Sequence, residues 1–159
     1  MLGVVAAPGH EDVLVFRLEH QRFGLPAHAV VEVLRAVWVE PLPGAPPVVE
    51  GLVDYRGTPL AVFDLRARFG LPLRPVQPED HMVVVQTTAR QAVLRVDRVE
   101  ALASAPAATT PPGPAAQGLS GVVRLEDALL LIHDPERFLS EAESAALDAC
   151  LQQQGVAHG

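Results

Sequence analysis

The chain has 159 residues, 49% apolar and 19% charged, enough to bury a core without disulfides or metals. Its basic residues are all arginine, with no lysine, and twelve of them face nineteen acids for a net charge of −7. That excludes a P-loop or Schiff-base lysine and leaves no basic face for nucleic acid. The single cysteine, Cys150, excludes an internal disulfide and a thiolate metal cage.

In chain order, residues 2–7 form an apolar stretch that ends at Pro8-Gly9, too short for a signal peptide. No run approaches the length of a membrane helix, so a cytoplasmic protein is expected. Residues 1–10 read as a flexible N-terminus and 11–154 as one domain, divided into halves at about 11–80 and 81–140 with strands open to exchange between them. Residues 13–18 and 23–25 read as strands around a turn, 27–34 as one or two helical turns, and 37–39 as a short strand. Pro46 and Pro47 open a single helical turn. Residues 51–55 and 60–65 flank a turn at 56–59, which predicts a hairpin. Strands follow at 82–86 and 92–96, a proline-rich loop at 104–118, and a strand pair at 121–125 and 128–132. Ser140 and Glu143 make a capping box for a helix over 141–154, docked through Leu147, Cys150 and Leu151, with 155–159 as a tail.

The chain also repeats itself. Glu32, Gly51, Asp64 and Phe69 find counterparts in Glu100, Gly118, Asp134 and Phe138, at offsets between 67 and 70 residues. Two similar small β units sharing one core are expected.

Candidate chemistry is thin. Asp64, Asp97 and Asp134 end apolar strands, and His133 sits beside Asp134. Together they could bind a divalent cation or serve a small hydrolase. The simpler reading is that strand-end aspartates cap local backbone. Gly118-Leu119-Ser120-Gly121 falls one residue short of a nucleophile elbow. No cofactor is expected, and a binding module is favoured over an enzyme. A small-ligand sensor is the third reading.

Three segments, V-V-E-V-L-R from residue 30, P-L-P-G-A-P-P-V-V-E-G-L-V-D-Y-R-G from residue 41 and P-L-A-V-F-D-L from residue 59, carry a resemblance. With A-V-L-R-V-D-R-V from residue 92 and L-L-L-I-H-D-P-E-R-F-L-S from residue 129, they resemble the CheW family over residues 11–151. The resemblance implies a mainly β fold of two five-stranded SH3-like barrels packed together, with short helices and a C-terminal helix. It implies a non-catalytic adaptor coupling the cytoplasmic tips of methyl-accepting chemoreceptors to the regulatory domain of a CheA-type histidine kinase. Receptor contacts would then fall near Glu32, Val33 and Arg56, in a groove between barrels. Kinase contacts would fall around Val30, Pro43, Gly44 and Gly51. Three positions depart from the family pattern: Asp54-Tyr55 where Asn-Leu is usual, Glu50, and Ala61 with Phe63.

Overall fold

The computed structural model describes residues 10–106, 118–126 and 128–155. Ten strands make two five-stranded sheets, each curled into a small barrel. The first barrel holds β1 (His10–Leu18), β2 (Gln21–Pro26), β8 (Arg98–Pro106), β9 (Leu119–Leu125) and β10 (Ala128–His133), in the order β8-β1-β2-β10-β9. The second holds β3 (Val30–Arg35), β4 (Val49–Tyr55), β5 (Thr58–Asp64), β6 (His81–Gln86) and β7 (Gln91–Val96), in the order β3-β6-β7-β5-β4.

The boundary between barrels therefore does not fall at residue 80. Each repeat unit gives two strands to one barrel and three to the other, and the parallel pairs β2–β10 and β5–β7 seal the exchange. The register also corrects the sequence match. Val15 pairs with Ala101 and Phe16 with Val99, leaving Glu100 bulged; Val84 pairs with Glu32 and Val85 with Val30, leaving Val31 bulged. Glu32 thus answers Ala101, and Glu100 answers Val31. Likewise Glu50 and Ser120 are the bulged residues of β4 and β9, so Gly51 answers Gly121 rather than Gly118. A bulge adds one residue to one strand only, and matching by residue identity slips across it.

Most central strands are apolar on both faces, for a structural reason. On β1, Val13 and Val15 point into the first barrel's own core, while Leu14, Phe16 and Leu18 join a core shared by both barrels. On β6, Met82 and Val84 fill the second barrel and Val83 and Val85 the shared core. All five phenylalanines of the chain meet in that shared core. Phe63 stacks on Phe138 at 4.7 Å, Phe23 on Phe69 at 5.1 Å and Phe16 on Phe23 at 5.4 Å.

Several local expectations change. Residues 27–29 make one 3-10 turn, but Val30–Arg35 is strand, because its β-branched valines pair with β6. Residues 37–39 form no strand, and Pro46 begins a hydrogen-bonded turn, Val49 N–H to Pro46 O at 2.9 Å, not a helix. Residues 104–106 complete β8, and the rest of the expected proline-rich loop, 107–117, lies outside the described residues. His10 already begins β1; 1–9 and 156–159 also lie outside. A five-residue helix α1 (Leu65–Phe69) follows β5. The terminal helix α2 (Glu141–Gln153) carries its capping box and buries Leu147, Cys150 and Leu151 in the shared core.

Candidate functional site

The strand-end acids are committed to the fold. Asp64 accepts the Ala67 amide and caps α1; Asp134 accepts the Glu136 amide and caps the 3-10 turn Pro135–Arg137. Asp97 belongs to an ion network at the junction of the barrels. Arg66, 3% exposed, donates to both Asp97 oxygens at 2.8 and 2.6 Å, to Glu19 and to the Pro72 carbonyl. Burial alone would raise the Asp97 pKa, but the Arg66 and Glu19 hydrogen bonds and the Arg66 and Arg74 charges outweigh it and hold it low. Arg74 bridges Asp97 to Asp80, and Arg95 joins Asp80 to Glu50. The unusual Glu50 is thereby answered by Arg95 at 2.7 Å, although burial still pushes its carboxyl up.

His133 is fully buried among Phe16, Phe69 and Phe138, and neither ring nitrogen has a partner among the described residues. Desolvation lowers its pKa to about 4, against a small opposing pull from Asp134. Among the described residues, no three His, Cys, Asp or Glu side chains are placed to hold a metal ion. Asp64 and Asp134 each cap a separate turn and Asp97 pairs with Arg66, so the three strand-end acids serve different places in the fold.

A different cluster does assemble. Glu32 on β3 accepts the Tyr55 hydroxyl at 2.6 Å and the Arg56 guanidinium at 2.7 Å, across the seam between the edge strands β3 and β4. Arg56 also lies over the Tyr55 ring, 5.1 Å from its centre. The hydrogen bond to Glu32 holds the Tyr55 hydroxyl above its ordinary pKa. Arg56 and Gly57 both have positive φ, 51° and 85°, so the two-residue turn of this hairpin presents Arg56 outward, 73% exposed. Asp54, the other departure in this segment, accepts the Gly57 amide at 2.7 Å and fixes the turn.

The same seam is tied by backbone. Glu40 and Leu52 exchange hydrogen bonds of 2.8 and 2.7 Å. Gly51 permits this, because a Cβ there would sit 2.1 Å from the Glu40 carbonyl oxygen. Gly51, expected on a kinase surface, is buried, and it lets residues 36–40 lie on β4.

Between the barrels runs a groove of about 650 Å³. Val30, Val31, Glu32 and Val33 of the second barrel form one wall, Glu11 and Asp12 of β1 the other, with Ala27 and His28 at the connection. Val31 and Val33 are 46% and 36% exposed. Val30, expected on a kinase surface, thus shares the groove with Glu32 and Val33. Pro43 and Gly44 are exposed on a turn before β4. Sequence reasoning missed Glu11, Asp12 and Val31. Two acids directly ahead of an apolar strand were the available signal. It also missed Trp38, which stands 79% exposed with its indole N–H on Glu40 at 3.0 Å.

The family model described as CheW-like domain matches residues 12–143. The chain belongs to the CheW family. Protein FrzA of Myxococcus xanthus is 33% identical over 119 residues, covering 72% of this chain and 74% of that protein. A chemotaxis protein CheW of Klebsiella aerogenes is 27% identical over 146 residues, 87% of each. The crystal structure of the scaffolding protein TtCheW from Thermoanaerobacter tengcongensis matches with a TM-score of 0.76 at 24% identity, covering 84% of this chain and 95% of that one. The two-barrel SH3-like fold is shared with that CheW structure. The chain is a CheW-like chemotaxis coupling protein.

Proposed function

We infer that this CheW-like domain is a non-catalytic adaptor in the cytoplasm, recruited to membrane receptor arrays. It joins the cytoplasmic tip of methyl-accepting chemoreceptors to the regulatory domain of a CheA-type histidine kinase. The observation that carries this reading is the groove between barrels, where exposed Val31 and Val33 lie beside the Glu32–Tyr55–Arg56 cluster. An apolar strip open to water at the junction of two rigid barrels suits a helical partner. No helix among the described residues is long and apolar enough to cross a membrane.

In this reading Glu32, Val33 and Arg56 face the receptor, with Val30 on the same groove wall. Pro43 and Gly44 offer the kinase a separate exposed turn. Association with a purified kinase regulatory domain and with a receptor-tip fragment tests the role. Arg56→Ala is expected to weaken receptor association roughly tenfold or more, as for a desolvated charge contact, and to spare the kinase. A folded wild-type protein that binds neither partner would end the adaptor reading.

A further inference from the structure

The groove is acidic as well as apolar. Glu11 and Asp12 line one wall, and no arginine lines it; His28 is the one basic-capable group among its lining residues. Glu32 is already committed to two donors, Tyr55 and Arg56, so its charge is largely spent within the second barrel. Asp12 is different. Its Oδ1 is buried without a hydrogen-bond partner among the described residues. Its register neighbour on β8, Ser104, stands on the same face of the sheet, and its buried hydroxyl also has no partner among the described residues. Asp12 as a whole is half-buried, and a carboxylate whose covered oxygen lacks a donor is costly, so a cation docked at this rim would offset its charge. Glu11 adds an exposed second charge next to it. The whole chain carries −7, so a cationic partner is also steered toward it.

Resting on the adaptor reading, we propose that the groove takes an amphipathic helix with a defined charge. Its apolar side chains lie on Val31 and Val33, and an arginine or lysine flanking that stripe pairs with Asp12 and Glu11. The groove then selects among helical tips of similar apolar surface by the charge at one edge of the stripe. Glu11 and Asp12 are specificity-determining residues of the β1 wall, on the opposite barrel from Glu32 and Arg56.

The test is titration calorimetry of the full chain with a soluble helical hairpin carrying a chemoreceptor tip from the same genome, at about 50 and about 300 mM salt. Wild type is expected to bind roughly tenfold more weakly at the higher salt, and Asp12→Asn to bind roughly tenfold more weakly than wild type at the lower. Glu11→Arg alters an exposed residue, so the fold survives, and it is expected to lose a similar factor. A hairpin whose basic flanking residues are changed to Glu should fail on wild type and regain binding to Glu11→Arg. Wild-type binding that neither variant alters, with melting temperatures unchanged, overturns the charge selection and leaves the adaptor role standing. No binding of any hairpin overturns the proposal, and it overturns the adaptor role as well if the kinase regulatory domain also fails to bind. A wild-type dimer that Val31→Glu dissociates puts a second copy in the groove, and overturns the proposal as well.

Discussion

The two barrels are built on one strand plan, yet they treat the seam between their edge strands differently. In the second barrel, Glu32, Tyr55 and Arg56 meet across it. The matched positions in the first are Ala101, Leu125 and Glu126, aligned through the bulged registers of β8 and β9. Those three side chains line a cavity of about 220 Å³ instead, with Val15 and Leu130 also on its wall. Glu100, one residue away, turns to Arg17 and Arg22 on β1 and β2. A shared fold is therefore set by strand pairing and the common core. The seam is free to vary, and among the described residues it is the second barrel's β3 that borders the groove.

The largest expected effect concerns what joins the barrels. Arg66 reaches from α1 to the β1–β2 turn and to Asp97, and removing one side of a buried ion network leaves carboxylates stranded. Arg66→Ala should cost about 4 kcal/mol by urea denaturation, with a single transition retained. A loss under about 1 kcal/mol would make the network a solvated decoration and the barrels joined by apolar packing alone.

His133 and Phe63 sit at matched places, each just ahead of the capping aspartate. His133 has its folded pKa depressed to about 4 from 6.5, so the native state resists a proton that the unfolded chain accepts. Stability is then full above pH 6.5 and falls as the pH drops toward 4, by about 3 kcal/mol. His133→Phe, which makes the barrels alike, should flatten that slope in melts across this range. An unchanged slope would place the acid sensitivity elsewhere. Asp97, with its lowered pKa, adds a loss only further down, below the usual carboxylate range.

The glycines separate collision from conformation. Gly51→Ala drives a Cβ into the Glu40 carbonyl and should cost about 2 kcal/mol or more, releasing residues 36–40 from β4. In the first barrel, Gly118 has φ +84°, and a Cβ there would meet only ordinary van der Waals contacts. Gly118→Ala should cost about 1 kcal/mol, the strain of the left-handed backbone. Equal costs would mean the Glu40 strap yields freely. Smallest of all, Arg56→Ala should change stability by less than about 1 kcal/mol, since its pair with Glu32 is exposed. A larger loss would make the cluster the lock of the second barrel rather than a surface offered to a partner.

Much of this fold was legible in the residues. The β4–β5 hairpin, the Asp64 and Asp134 caps and the Ser140–Glu143 capping box all follow from local chemistry that needs no tertiary partner. β3 was not legible as strand, because a short valine-rich run suits either state until β6 lies beside it. β8 hid in an alanine-rich segment of weak strand propensity, held by its long pairing with β1. Of the site, Glu32, Val33 and Arg56 were named from the motif. The contact between Glu32 and Arg56 arises only when the sheet curls, and Glu11 and Asp12 join the groove only when the barrels pack.

The exchange of strands between the halves also governs the order in which the molecule can be made. β2 pairs with β10 through Phe23–Leu131 and Gly24–Ile132, partners more than 100 residues apart. At about 5–20 residues per second, β1 and β2 leave the ribosome several seconds before the strands that complete their barrel. All five strands of the second barrel are out once β7 has emerged, so it can close first and offer Phe63, Leu94 and the rest of its share of the core as a template. The first barrel can then form on that surface from β1 and β2 with β8, β9 and β10. A nascent chain stalled before β8 would hold one finished barrel and an unpaired β1–β2 ribbon, open to pairing with a second chain in the same state.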